Sequence, residues 1–130
     1  MEKRVSNPWL WQEKVGYAQA VEVKQPACTL YCAGQAALDA EGQPSTGDLK
    51  TQVVQVIQNV EQVLHHAGYQ CRDIVRLNVY TTSAAELFGC FDIFTDWVTK
   101  HGIQQASTLV EVKGLAYESL KIEMEVTAAK

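Results

Sequence analysis

Between Asp48 and Gly68 apolar residues recur at steps of three and four: Leu49, Val53, Val56, Ile57, Val60, Val63, Leu64 and Ala67. That spacing lays one apolar stripe along an α-helix, and such a stripe is satisfied only by packing against another layer. Asp48 stands where an N-cap side chain accepts an orphan N–H, and Gly68 where a left-handed residue ends a helix. A second amphipathic segment runs from Ala84 to His101, with Leu87, Phe88, Phe91, Phe94, Trp97 and Val98 on its apolar side and Gly102 after it. The fold must therefore offer an apolar surface wide enough for two helices.

The remaining segments read as the strands that make this surface. Gly16–Lys24 is extended and partly alternating, and Cys28–Gln35 follows a turn at Gln25-Pro26 closely enough to form a hairpin with it. Ile74–Thr81 is rich in Val, Leu and Tyr. Ala106–Val112 and Leu120–Ala128 flank a turn at Gly114 and read as a closing hairpin. Residues 1–14 are expected to be irregular, since Asn7-Pro8 disfavours a helix there. The order β-β-α-β-α-β-β predicts an α+β fold, one mainly antiparallel sheet with two helices on one face. With 130 residues and no linker or repeat, residues 1–130 read as a single domain.

The other face of that sheet carries the functional question. In the last strand Leu120, Ile122, Met124 and Val126 share one face, and Lys121, Glu123, Glu125 and Thr127 the opposite one. In the third strand Val75, Leu77 and Val79 oppose Arg76, Asn78 and Tyr80. The rows that turn away from the helices hold charges, amides and tyrosines, a mixture suited to a contact between copies of the chain. Tyr17 and Tyr31 belong to the same class of large amphipathic side chains.

Charge and cysteine usage exclude other classes. Eleven Lys and Arg against fifteen Asp and Glu leave a net charge of −4. With no local basic cluster, this argues against nucleic acid as the main partner. The longest uncharged stretch, Gln25–Leu38, is too short and polar to span a bilayer, and no apolar signal core follows the charged N-terminus, so a cytoplasmic protein is expected. Cys28, Cys32, Cys71 and Cys90 contain no CxxC and no His at metal-ligand spacing, so they read as small apolar fillers. No metal and no cofactor are expected.

Several segments, in order and spacing, resemble the RidA (YjgF) family: Gly16-Tyr17-Ala-Gln19-Ala-Val, Tyr31-Cys-Ala-Gly34-Gln35, the helix with Asn59 and Ala67-Gly68, Asp73–Tyr80, Phe88–Phe94, Ser107–Val112 and Lys121–Glu125. The resemblance covers about Gly16 to Ala128. It implies a chorismate-mutase-like fold and a homotrimer whose small-molecule clefts lie between neighbouring subunits. For chemistry it implies hydrolysis of reactive enamines and imines to keto acids and ammonia. In that scheme an arginine clamps the substrate carboxylate and a glutamate on the last strand handles the attacking water.

Carried over residue by residue, the glutamate is Glu123, while Tyr17, Gly34 and Gln35 match directly. The cleft Asn of the second helix corresponds to Asp92. The arginine position holds Ser107, and the small position two residues later holds Leu109, so the chain resembles a divergent branch without the clamp. Arg76 is read either as a replacement clamp or as a structural ion-pair member, and Glu123 either as a cleft residue or as a partner of Lys121 or Arg76. Trp9 and Trp11 either cover an apolar edge or roof the cleft. The readings that follow are an imine or enamine hydrolase with an altered substrate, a non-catalytic metabolite-binding trimer, and an endoribonuclease or translation inhibitor of the kind some family members are called.

Overall fold

The computed structural model describes residues 1–130. The strands are β1 (Glu2–Ser6), β2 (Ala20–Lys24), β3 (Thr29–Tyr31), β4 (Gln35–Ala36), β5 (Ile74–Thr81), β6 (Ala106–Glu111) and β7 (Ile122–Ala129). The helices are α1 (Leu49–His66), α2 (Ala84–Phe88) and α3 (Asp92–His101), with short 3-10 turns at Trp11–Val15 and Cys71–Asp73. The main sheet runs β3-β7-β5-β6, and β4 joins it by pairing with β7. All its pairings are antiparallel except β5–β6. The expected α+β architecture is the observed one.

The long helix forms as its periodicity requires. The Asp48 carboxylate accepts the Thr51 N–H at 2.8 Å, and Gly68 takes φ +80° just beyond the helix. Leu49, Val53, Val56, Val60 and Leu64 are buried along one stripe. They pack over Ile74, Leu77, Val79, Ile122, Met124, Val126 and Ala128, the inward residues of β5 and β7. Each buried Val, Leu, Ile or Met among them contributes about 1.5–3 kcal/mol, so this seam holds the two layers together.

Four expectations about local structure are corrected. The N-terminus is not irregular: β1 pairs antiparallel with β2, from Glu2 opposite Lys24 to Ser6 opposite Ala20. The charged residues of Glu2-Lys3-Arg4 hid this strand. It is a two-stranded ribbon whose Lys3 ammonium donates to the carbonyls of Arg72 and Ile74 rather than a strand with an apolar face. Consequently β2 does not form a hairpin with β3. Nor do β6 and β7 form one. β7 lies between β3 and β5, and β6 lies parallel to β5 at the edge. The intervening helices provide the crossover that a parallel pair needs. The inward side chains of β7, none more than 3% exposed, demand a central place that an end hairpin would not give. Finally, the helix expected over Ala84–His101 is broken at Gly89 into α2 and α3. Glycine is a weak helix former, and the Cys90 and Ile93 N–H groups bond three residues back instead of four.

One buried polar side chain locks the start of β7. Gln52 is fully buried in α1. Its amide donates to the carbonyls of Gly47 and Ser119 at 3.0 and 2.9 Å and accepts the Lys121 N–H at 2.8 Å. A Gln52→Ala change leaves these groups unpaired beside a new cavity and is expected to cost roughly 2–4 kcal/mol. Urea denaturation monitored by circular dichroism measures this loss; a change below about 0.5 kcal/mol would show that the amide does not anchor the strand.

Candidate functional site

β7 presents Glu123, Glu125 and Thr127 opposite Tyr80, Asn78 and Arg76 of β5, on the sheet face away from the helices. Glu125 is the hub of this face. Its Oε1 accepts hydrogen bonds from the Tyr80 hydroxyl and, at 3.0 Å, from the Asn78 amide. These bonds hold the Glu125 carboxyl below its usual range, and the same bond to Glu125 pushes the Tyr80 phenol up. Arg76 donates to the Thr108 hydroxyl at 2.9 Å and makes no ion pair, so its structural ion-pair reading does not hold within the chain. Lys121 is engaged with Glu86 at 3.7 Å. Glu123 has neither cation as a partner and makes no salt bridge in the chain.

Glu123 reaches instead toward Gly34, at the opposite edge of the sheet. The backbone there passes so close that a Cβ on Gly34 would lie 2.9 Å from the Glu123 Cδ and closer still to its Oε1. Gly34, Gln35 and Glu123 line one cleft of about 780 Å³ together with Asn59, Gln62 and Tyr117. Asn59 shapes its wall by donating to the carbonyls of Ala36 and Leu38, both at 2.9 Å. The Gln35 amide donates to the Ala33 carbonyl.

The other expected site residues lie elsewhere. Ser107 and Leu109 stand opposite Leu77 and Val79 in the β5–β6 pair, on the helix side of the edge strand. With Tyr17, Val15, Phe88 and Phe91 they line a separate apolar pocket of about 240 Å³. Gln105 holds this corner together. Its amide donates to the Gly16 carbonyl at 2.8 Å and to the Ser107 hydroxyl at 3.3 Å, while the Ala18 N–H donates to the Gln105 carbonyl at 2.8 Å. Tyr17 is thus pinned beside Ser107. Trp11 packs edge-on to Tyr17, and Trp9 stacks on Trp11. The two tryptophans therefore stack outward from Tyr17, line neither cavity and remain more than half exposed. Asp92 faces solvent at the first turn of α3 and lines neither cavity.

Within one chain, then, Gly34, Gln35 and Glu123 form one group, and Tyr17, Ser107 and Leu109 another. A continuous sheet separates them. Four exposed apolar side chains mark surfaces that water covers poorly: Tyr31 at 80% exposure on the open sheet face, Phe88 in the second pocket, and Trp9 and Trp11 stacked beside Tyr17. Sequence reasoning missed Phe88 and Phe91 as pocket residues, because their helical spacing read as core. The break at Gly89 is what leaves Phe88 outside.

A family model described as Endoribonuclease L-PSP matches residues 12–130. The chain belongs to that family. It is 30% identical over 114 residues to a RutC family protein of Aquifex aeolicus, a match covering 88% of each chain. Among solved structures, a Yersinia pestis protein of the conserved Rid family, YyfB, superposes with a TM-score of 0.87 at 33% identity over the whole of both chains. The Escherichia coli YjgF gene product does so with a TM-score of 0.69 at 26% identity, over 88% and 87% of the two chains. The Rid/YjgF resemblance read from the sequence is therefore family membership. No helix is long and apolar enough to cross a membrane.

Two predictions test the built site. Gly34→Ala meets only the flexible end of Glu123, so the protein should fold with a melting temperature within a few degrees of wild type while the carboxylate is displaced. A crystal structure of the variant should show the Glu123 carboxylate moved by about 1 Å or more, and an unmoved carboxylate would refute the close fit. For Glu125, the folded pKa lies below the unfolded one. The stabilisation it lends is therefore complete above its ordinary value of 4.5 and lost as pH falls through its lowered folded value. An NMR titration of Glu125 should find its midpoint below 4.5 and should find it nearer 4.5 in Tyr80→Phe; equal midpoints would discount the Tyr80 bond.

Proposed function

We propose that this Rid-family protein is an imine or enamine hydrolase working as a homotrimer. In this reading Glu123, Gly34 and Gln35 of one copy and Tyr17, Ser107 and Leu109 of a neighbour complete each cleft. The observation that carries the reading is the division of these residues between two cavities toward opposite edges of one sheet, with Glu123 left unpaired in a cleft too open to isolate a substrate. The open face, with Arg76, Tyr80, Glu125 and the exposed Tyr31, is the surface such a neighbour would cover.

The chemistry follows from what each half offers. Glu123 accepts a proton from a water as its oxygen adds to the carbon of a C=N bond, and the nitrogen takes up a proton. Collapse of the resulting carbinolamine expels ammonia and leaves the carbonyl product, so the net change is imine plus water to carbonyl plus ammonia. An enamine enters the same path after protonation at carbon. The opposite half sets specificity. Ser107 supplies no counter-charge where an arginine would clamp a carboxylate, and losing a buried pair of this kind costs on the order of 2–5 kcal/mol of binding. Leu109, Phe88 and Phe91 favour instead a substrate with an apolar body. The binding-trimer alternative shares the same cleft and lacks only turnover. Ribonuclease activity draws no support from a net charge of −4 with no basic stripe.

The test is ammonia release from imines generated in place by an amino-acid oxidase. Aliphatic and aromatic imines should be hydrolysed faster than 2-aminoacrylate, and Glu123→Gln should abolish turnover with the oligomer and melting temperature unchanged. Ser107→Arg combined with Leu109→Cys should raise 2-aminoacrylate hydrolysis at least about tenfold. Ligand-dependent stabilisation without turnover would favour the binding reading. Rapid 2-aminoacrylate hydrolysis by wild type would refute the missing-clamp argument.

A further inference from the structure

On the helix side of the molecule, three donor side chains from distant parts of the chain converge. Glu61 projects from α1, Cys71 opens the 3-10 turn before β5, and His101 is the last residue of α3. Their ligand atoms all lie within 4.8 Å of one another, and the His101 Nε2 stands 3.9 Å from the Glu61 Oε2. We propose that this triad is a divalent-metal site of the zinc class, with the Cys71 thiolate, the His101 imidazole and the Glu61 carboxylate as protein ligands and water in the fourth position.

The donor chemistry supports that class of ion. Sulfur, imidazole nitrogen and carboxylate oxygen together suit a borderline cation such as zinc, whereas calcium and magnesium take oxygen. Tetrahedral zinc with ordinary bond lengths sets its ligands about 3.4–3.6 Å apart. The His101–Glu61 pair, at 3.9 Å, stands about half an ångström beyond the spacing of such a nitrogen–oxygen pair. The wider separations close by moving Glu61 and His101, whose side chains are 41% and 31% exposed, toward a Cys71 that the core holds still.

The local field also favours a cation. The Glu61 carboxylate supplies negative charge at the site, its ligand oxygen standing within 4.8 Å of the Cys71 sulfur. His101 sits at the C-terminus of α3, where the last carbonyls favour positive charge. Near the cluster the Trp97 indole N–H is buried without a hydrogen-bond partner. The Trp97 ring also packs edge-on to the His101 ring, with centroids 6.4 Å apart, which limits the imidazole's orientation.

Binding is balanced by proton release. The metal replaces the Cys71 proton, a sulfur–metal bond forms as the S–H bond breaks, and one proton leaves to solvent for each ion bound. The ion would tie α1, the turn before β5 and α3 to one point in the helical layer, away from Glu123 and from the Tyr17 pocket. Spacing along the sequence could not reveal this, because the donors are ten and thirty residues apart on elements that meet only in the fold.

Cobalt(II), a spectroscopic stand-in for zinc, tests the site on the full-length protein. One equivalent should produce a thiolate-to-cobalt charge-transfer band and intense tetrahedral ligand-field bands, release about one proton, and be displaced by zinc. Cys71→Ser should abolish the charge-transfer band. Because that change touches the core, Glu61→Gln and His101→Gln provide the second test. Both residues are part-exposed, so the variants should stay folded, and each should weaken zinc binding about tenfold or more. The adjacent, exposed His65 and His66 and the exposed Cys28 are the rival ligands. Replacing them should change nothing. Absence of a charge-transfer band, its survival in Cys71→Ser, or loss of binding in His65→Ala/His66→Ala with the triad intact would each overturn the proposal, leaving Glu61 and His101 an ordinary surface pair.

Discussion

β7 is used on both faces, and most of the structure follows from that. Inward, Ile122, Met124, Val126 and Ala128 form the floor on which α1 packs. Outward, Glu123, Glu125 and Thr127 form the middle of a polar face that no element of the chain covers. A strand alternates strictly, so neither face can be altered in register without exchanging both. The Gln52 amide, which grips the backbone at Ser119 and Lys121, sets where that alternation begins. Core packing and the placement of Glu123 are therefore one constraint.

That constraint explains why the functional residues look scattered. The strand that carries Glu123 outward lies two places from the edge strand β6, whose Ser107 and Leu109 face the helices. No rotamer of Glu123 can bring its carboxylate through the sheet to Ser107. A second copy can supply the missing half from outside. The exposed tyrosine, tryptophan and phenylalanine side chains around both half-sites are the kind of surface that such an encounter desolvates. In the proposed reading, Ser107 and Leu109 set the substrate's head group while the Glu123 half handles water.

Local periodicity made much of the fold legible. α1, β5 and β7 could be read from apolar spacing alone, and Asp48 and Gly68 mark the helix ends as capping chemistry demands. Pairing was not legible, because which strands lie side by side depends on long-range burial that no local pattern carries. The misread hairpins are the result. β1 escaped because a solvated ribbon has no apolar face to betray it. The family resemblance placed Glu123, Gly34 and Gln35 in one cleft with Tyr17, Asp92, Ser107 and Leu109 without showing that a single chain separates them; the Tyr80–Glu125–Asn78 network depends on cross-strand register, and the Glu61, Cys71 and His101 cluster on helix packing. Gln52 was hidden for a simpler reason: a polar residue on an apolar stripe looks like an interruption until its three partners are seen.

The central claim is that the cleft is completed by a neighbouring copy, and a crystal structure of the assembled protein measures it directly through one distance. The account predicts a trimer in which the Glu123 carboxylate of one copy lies within about 10 Å of the Ser107 hydroxyl of the next, the span of a small-molecule pocket, with Tyr31 and the β5–β7 polar face buried. A monomer with that face open to solvent, or an assembly that leaves these two groups more than about 20 Å apart, would contradict it.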